Sequence, residues 1–370
     1  MAHVPTNLPN CKNRALLDRS STLVALGVRL HRSTMPRAAD RFYPARTYWA
    51  MVEYRCPTMA AISARSNLRL FLEPKLDRLY EILNVDAFEW LRGRPRNTIH
   101  AVLADPPYGL LEYSEEQKQK LRSGKGGVWR IPPSFDGCER RPLPRFTVLK
   151  EQHKSQLEAF FSKLAALLAP VLVPGAHVFI ATNPLVSHLV YGPFIRAGFE
   201  KRGEIIRVVQ TLRGGDRPKN AHHEFAEVSV MPRSCWEPWG LFRKPCEGRV
   251  QDNLRKWKTG GLRRLSASVP FRDLIVSSPT RRPEHQIAPH PSLKPQHFLR
   301  QLARAALPFG EGIVLDPFMG SGSTIAACAA VGLRSIGLEI DPEYFAMARS
   351  AIPKLASLKT PLPDQNGPRR

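Results

Sequence analysis

The run Ile99-His100-Ala101-Val102-Leu103 is apolar and partly β-branched, and it stops at Ala104-Asp105-Pro106-Pro107-Tyr108-Gly109. A proline has no N–H to give to a sheet ladder, so the paired prolines end a strand and send the chain out of the sheet as a loop. A second exit of this kind lies far downstream. Residues 312–315 read as a strand leading into Asp316-Pro317-Phe318-Met319-Gly320-Ser321-Gly322-Ser323-Thr324, and an Ala-rich helical stretch follows. Strand, glycine-rich turn and helix in that order bring backbone close to a ligand at the carboxyl edge of a parallel sheet. The two exits together predict an α/β fold.

The rest of the chain supplies the alternation such a fold needs. Residues 79–83 are apolar and fit a helix, and Asp86 suits the N-cap of a short helix running to Leu91. Residues 156–168 read as an amphipathic helix, 177–181 as a strand, 185–197 as a helix and 205–211 as a strand. The alternating stretch 225–231 predicts a hairpin-like antiparallel edge, which makes the sheet mixed. After Pro295 come a helix to Ala306, a strand over 335–339 and a helix from Pro342, with Asp341 and Pro342 as N-cap and N1.

Between these elements the composition shifts. Residues 1–58 hold nine basic and three acidic residues without periodicity, and are expected to be a poorly ordered basic arm. Residues 110–150, rich in Gly, Pro and charge, read as a mobile insertion. Residues 232–290 hold twelve basic and five acidic residues with Trp236, Trp239, Phe242, Trp257 and Phe271, the pairing of cations and planar rings that suits nucleic acid. They are expected to be a target-recognition insertion, and a basic loop with a small satellite core is the alternative. It would separate a catalytic half, 76–231, from a cofactor-binding half, 291–356, ahead of a frayed tail, 357–370.

The whole chain carries 55 Lys and Arg against 32 Asp and Glu, a net charge of +23, which points to a polyanionic partner, nucleic acid first, with a solvated basic surface or a ribosome-associated tail as the alternative. Its six cysteines form no C-x-x-C pair, so no zinc site or disulfide framework is indicated. The most apolar stretch is broken by Pro170, Pro174 and Gly175, and the early apolar run contains Arg29, so neither a membrane span nor a signal peptide is expected. A cytoplasmic protein needing no metal is the expectation.

The loops carry the chemistry. An exocyclic amine is a poor nucleophile because its lone pair is delocalised into the base ring. If the Asp105 carboxylate and the Pro106 carbonyl each accept an N–H bond, that lone pair is released toward an electrophile. Pro107 stiffens the loop, and Tyr108 offers a face for a base flipped out of the duplex. In the second loop, Asp316 to Thr324 suits a nucleoside-type cofactor, and Glu339, ending the next strand, stands where an acid meets ribose hydroxyls. A dehydrogenase fingerprint would need a third glycine where Ile325 and Ala326 stand, and a P-loop would need a lysine after Gly322.

Asp105-Pro106-Pro107-Tyr108 early and Asp316 to Thr324 late resemble the paired motifs of the amino-methyltransferases of DNA, the N6-adenine and N4-cytosine methylases, in the order of their β group. The resemblance runs from about Asp86 to Ala348. It implies a Rossmann-like, mixed seven-stranded sheet with helices on both faces and a circularly permuted motif order. It also implies S-adenosylmethionine as cofactor and double-stranded DNA as partner, with a restriction endonuclease as a second partner in restriction–modification. By the same resemblance Pro317, Phe318, Gly320, Ser321, Gly322 and Thr324 line the cofactor pocket with Asp316 and Glu339. His290-Pro291-Ser292-Leu293-Lys294-Pro295 resembles a family stretch beside the methionine end, which gives Lys294 that role, and Asp86 is matched to an adenine contact. Asp at the first motif position resembles the N6-adenine enzymes, the N4-cytosine ones usually carrying Ser there. N4-cytosine methylation, an RNA methylase and a binding module without turnover remain the other readings.

Overall fold

The computed structural model describes residues 79–107, 134–135, 138–139, 151–211, 218, 221, 223–230, 232, 234–277, 279–290 and 292–360. The expected arm 1–58, Tyr108, nearly all of the insertion 110–150 and the tail from 361 lie outside the described residues.

Eight strands build the main sheet: β1 (Tyr80–Asn84), β2 (Ile99–Ala104), β3 (Leu172–Ala181), β4 (Glu200–Thr211), β5 (Ser234–Arg243), β6 (Leu274–Val276), β7 (Ile313–Asp316) and β8 (Arg334–Glu339). Their spatial order is β1-β8-β7-β2-β3-β5-β4-β6. The pairs from β1 to β3 are all parallel, β5 is antiparallel to both neighbours, and β6 runs parallel to β4. This is the mixed, Rossmann-like sheet expected, with the three-residue β6 as an eighth, outermost strand.

The helices are α1 (Ala87–Arg92), α2 (Glu151–Val171), α3 (Ser187–Arg196), α4 (Val250–Trp257), α5 (Arg282–Ile287), α6 (Gln296–Ala306), α7 (Ser323–Ala330) and α8 (Pro342–Ser357). Side chains alternate across β2 and divide the core between two faces. Val102 and Ala104 pack with α1, α2 and α3, through Phe88, Phe161, Leu164 and Phe194. Ala101 and Leu103 face the opposite way, with Phe298, Leu302 and Ala306 of α6. No helix among the described residues is long and apolar enough to cross a membrane.

Three expectations are corrected here. Residues 80–84 form a strand, not a helix, because pairing with β8 along the whole of β1 outweighs the weak helical leaning of so short a run. The antiparallel partner of β4 is not 225–231, of which 225–227 lie in turns, but β5. Residues 234–243 therefore belong to the sheet and not to an insertion, and Trp239 and Phe242 are fully buried core residues.

A mid-sheet proline helped to hide β5. In a strand the N–H and C=O of one residue point the same way, and the Pro238 carbonyl accepts from Thr182 N at 3.0 Å. The missing N–H of Pro238 thus faces β3 just beyond its last paired residue, Ala181, where no ladder bond is lost.

Candidate active site

The sheet changes direction of winding between β7 and β2. From β7 the chain crosses through α7 to β8 on one side, and from β2 it crosses to β3 on the other. A crevice opens at such a point outside the carboxyl ends of the strands. Register pairs Ala101 with Val314 and Val102 with Leu315, so Asp105 and Asp316 leave neighbouring strand ends.

The glycine-rich turn between β7 and α7 is fixed by its own backbone. Gly320 and Gly322 have φ of 51° and 81°, the left-handed region that favours glycine. A Cβ on Gly322 would meet Ile352 Cγ1 at 2.5 Å, and one on Gly320 would meet the His290 imidazole at 3.2 Å. Gly320 N donates to Glu339 Oε2 at 2.9 Å, and Asp341 N donates to Glu339 Oε1 at 2.8 Å. Val85 N donates to the Glu339 carbonyl at 3.0 Å, which sets Asp86 beside the same strand end. There Asp86 caps α1 through Glu89 N at 2.9 Å, the capping expected of it. An acid at the strand end, a turn that has room only for glycine and a neighbouring capping carboxylate suit the ribose and base of a nucleoside-type cofactor.

Within this turn Pro317, Ser321 and Thr324 are buried, and Phe318 sits half-buried with its ring 5.6 Å from Phe160. Asp316 is buried and accepts from Phe318 N at 3.0 Å. Burial pushes its carboxyl up to about 7, opposed by hydrogen bonds from Thr324 and Phe318 and aided by the charges of Asp105 and Glu339. With a raised folded value, the stability Asp316 contributes is complete below its ordinary value near 3.8 and is lost as pH rises through about 7. Asp316→Asn has no carboxyl to ionise, so its unfolding midpoint should gain on the parent protein between pH 5 and pH 8. Thermal unfolding at the two pH values measures this, and parallel curves would refute it.

On the β2 side, Pro106 is buried and Pro107 exposed. Asp105 pairs with Lys294, whose Nζ bonds Asp105 Oδ2. Lys294 comes from a segment clamped at both ends. Thr280 Oγ1 donates to the Leu293 carbonyl at 2.7 Å, and Gln296 N and Nε2 donate to Glu284 Oε1 at 2.7 Å and the Ser323 carbonyl at 2.8 Å. The structure thus brings Lys294 to the loop after β2 and His290 to the glycine-rich turn.

Two residues that sequence reasoning passed over complete the cluster. Glu237 Oε1 lies 3.9 Å from Lys294 Nζ, and Glu237 Oε2 accepts from Arg207 Nη1 at 3.0 Å. Burial would push Glu237 up, but Lys294 and Arg207 outweigh it and hold the group below the usual carboxylate value. Burial would push Lys294 down, but Asp105 and Glu237 outweigh it and raise it. Both therefore carry charge at neutral pH. Neither Glu237 nor Arg207 lies in a motif, so only their places on adjacent antiparallel strands could have revealed them.

The basic residues singled out for nucleic acid fall elsewhere. Arg263 N donates to the Ala305 carbonyl and Arg304 donates to the Arg264 carbonyl, at the far end of α6 from Lys294. Asn253 and Thr259 bond the Pro174 carbonyl near the start of β3. Residues 249–264 thus sit at the amino edge of the sheet, opposite Asp105.

A family model described as DNA methylase, for the N6 and N4 enzymes, matches residues 99–350. The chain is 31% identical to the Type II methyltransferase M2.DpnII of Streptococcus pneumoniae over 274 residues, 73% of this chain and 88% of that one. It is 45% identical over 58 residues to the DNA adenine methyltransferase YhdJ of Escherichia coli strain K12, 16% of this chain and 19% of that one. Among solved structures, PvuII DNA methyltransferase, cytosine-N4-specific, aligns with a TM-score of 0.47 and 14% identity, covering 76% of this chain and 86% of that one.

Proposed function

Because this chain belongs to the N6/N4 DNA methylase family, which uses S-adenosylmethionine, we propose that it methylates N6 of adenine in bases flipped out of duplex DNA. The observation that carries the reading is the exit of Asp105 and Pro106 at the strand end next to the glycine-rich turn and Glu339.

When bound, S-adenosylmethionine supplies a methyl group on a sulfonium sulfur. The residues to hold it are Glu339 at the ribose, Asp86 toward the adenine, and the turn Asp316-Pro317-Phe318 with Gly320, Ser321, Gly322 and Thr324 along its length. The Asp105 carboxylate and the Pro106 carbonyl accept the two N–H bonds of the target amine, which turns the nitrogen lone pair out of the ring. Pro107 stiffens that loop, and Tyr108 stacks on the flipped base. Lys294, bonded to Asp105, stands toward the methionine end of the cofactor. The aspartate at the head of the catalytic motif supports adenine over cytosine, as does the name of the Escherichia coli relative.

Target recognition belongs to the carboxyl edge. The chain leaves that edge at Pro107 and returns at α2, and it leaves again after β4 and returns at β5. The intervening residues include Arg213, Arg217 and Lys219. Neutralising these three should flatten the salt dependence of DNA binding by about 2 to 3 in log–log slope, at about 0.9 per phosphate contact. Arg264→Ala should leave the slope unchanged. The reverse pattern would put the DNA on the opposite edge of the sheet.

The reading is tested by incubating the protein with S-adenosylmethionine and unmethylated DNA, digesting the DNA and identifying modified nucleosides by mass spectrometry. N6-methyladenine is the expected product. N4-methylcytosine would overturn the base assignment, and no modified base would overturn the reading as a whole.

A further inference from the structure

Four charged side chains form a row that ends on Asp105. Arg207 donates to Glu237 at 3.0 Å, Glu237 stands 3.9 Å from Lys294, and Lys294 bonds Asp105. Their side chains are largely shielded, at 7% exposure for Arg207, 20% for Glu237, 12% for Lys294 and 14% for Asp105. Signs alternate along the row, so its charges cancel in pairs.

Each inner member is held from more than one side. Trp239 Nε1 donates to Glu237 Oε1 at 2.8 Å. Arg207 Nε donates to Ser277 Oγ at 3.3 Å, and its guanidinium lies 5.5 Å above the Phe298 ring. Glu237 is thereby anchored to β4, β5 and α6, the rigid part of the fold. Lys294 is different in kind, since a lysine stem has four flexible bonds and its ammonium is a point charge without directional preference. One carboxylate partner would let it follow Asp105 wherever the loop moved. A second carboxylate, carried on β5, narrows where the ammonium sits.

A buried ion row adds little stability compared with apolar packing of equal volume, so its value lies in orientation. We infer that Glu237 is a positioning residue for methyl transfer: from its anchored site on β5 it holds the Lys294 ammonium against Asp105 Oδ2 and so sets the carboxylate that receives the target amine. Arg207 backs Glu237 in this arrangement. The inference rests on the reading of Asp105 as the residue that holds the amine.

The test is a double-substitution cycle on the full chain, with single-turnover methylation rates and DNA affinity measured separately. Glu237→Gln keeps the shape and an acceptor for Trp239 but removes the charge. It should slow methyl transfer by about tenfold or more, as a misplaced reactive group does, with DNA affinity within about twofold. In a Lys294→Met background the same change should cost nothing further, because residues acting as a unit are not additive. An unchanged rate in Glu237→Gln, losses that multiply in the double variant, or a loss confined to DNA affinity would overturn the inference.

If Glu237→Gln does not fold, Glu237→Asp keeps the charge and shortens the reach. It should then show an intermediate rate at normal DNA affinity, and a normal rate would overturn the inference. The two levels separate cleanly. Activity surviving Asp105→Ala removes the underlying reading, whereas loss in Asp105→Ala with full activity in Glu237→Gln removes only the role of Glu237.

Discussion

Asp105→Ala is expected to lower the single-turnover rate of methyl transfer by at least about a thousandfold, near 4 kcal/mol of transition-state stabilisation. The affinities for DNA and for S-adenosylmethionine should change by no more than about threefold, since the lost interaction is one made chiefly in the transition state. The fold should tolerate the change. Lys294, left without Asp105, still has the Glu237 carboxylate 3.9 Å away, so no buried cation is stranded. Filter binding and calorimetry give the affinities, and quenched-flow methylation gives the rate. A variant that bound DNA poorly yet methylated at the normal rate when saturated would make Asp105 a binding group and nothing more.

The second large effect falls on stability. Trp239 has no exposed surface, and its ring meets that of Phe298 edge-on at 5.4 Å. It sits in β5 opposite Ala181 of β3 and Ile205 of β4, tying both neighbours together. Trp239→Ala removes a large buried side chain from a region that cannot collapse, and should cost about 3–5 kcal/mol. In urea this appears as a lower midpoint with an unchanged slope. If Trp239 instead belonged to a DNA-reading insertion, the variant would lose DNA affinity and keep its midpoint. The experiment therefore distinguishes a core strand from a recognition loop.

That distinction marks where sequence reading stopped short. Asp105, Asp316 and Glu339 were legible because each ends a strand whose local signal is strong: an apolar run, then proline or glycine chemistry that ends it. The capping by Asp86 and by Asp341 was legible for the same local reason, and Asp341 accepts from Glu343 N and Tyr344 N as a cap should. β5 was not legible. Its ten residues include Pro238, Glu237 and Arg243, and nothing local shows that a neighbouring strand ends where the proline lacks its donor. β1 was misread because a five-residue run with Ile82 and Leu83 leans both ways, and its partner 255 residues later decides.

The row from Arg207 to Asp105 was hidden more deeply. Its members come from four separate segments, and their partnership exists only once β4, β5, the Lys294 segment and β2 are assembled. The same holds for the edge proposed to face DNA. Basic residues can be counted along a chain, but which edge of a sheet they reach depends on strand direction. The antiparallel β5 carries the chain to the amino edge before 249–264 begin.

Among the described residues β1 pairs with β8 alone, and β2 completes its pairing there when β7 arrives. On a ribosome β1 is made long before β8, the strand it pairs with among the described residues, whereas β2, β3, β4 and β5 can already pair with one another. A product interrupted before β8 would lack Glu339, the glycine-rich turn's anchor, however well its earlier parts had formed. Synthesis and the site are thus coupled by topology: the crevice forms only once β7 and β8 have been made, however early its other walls were ready.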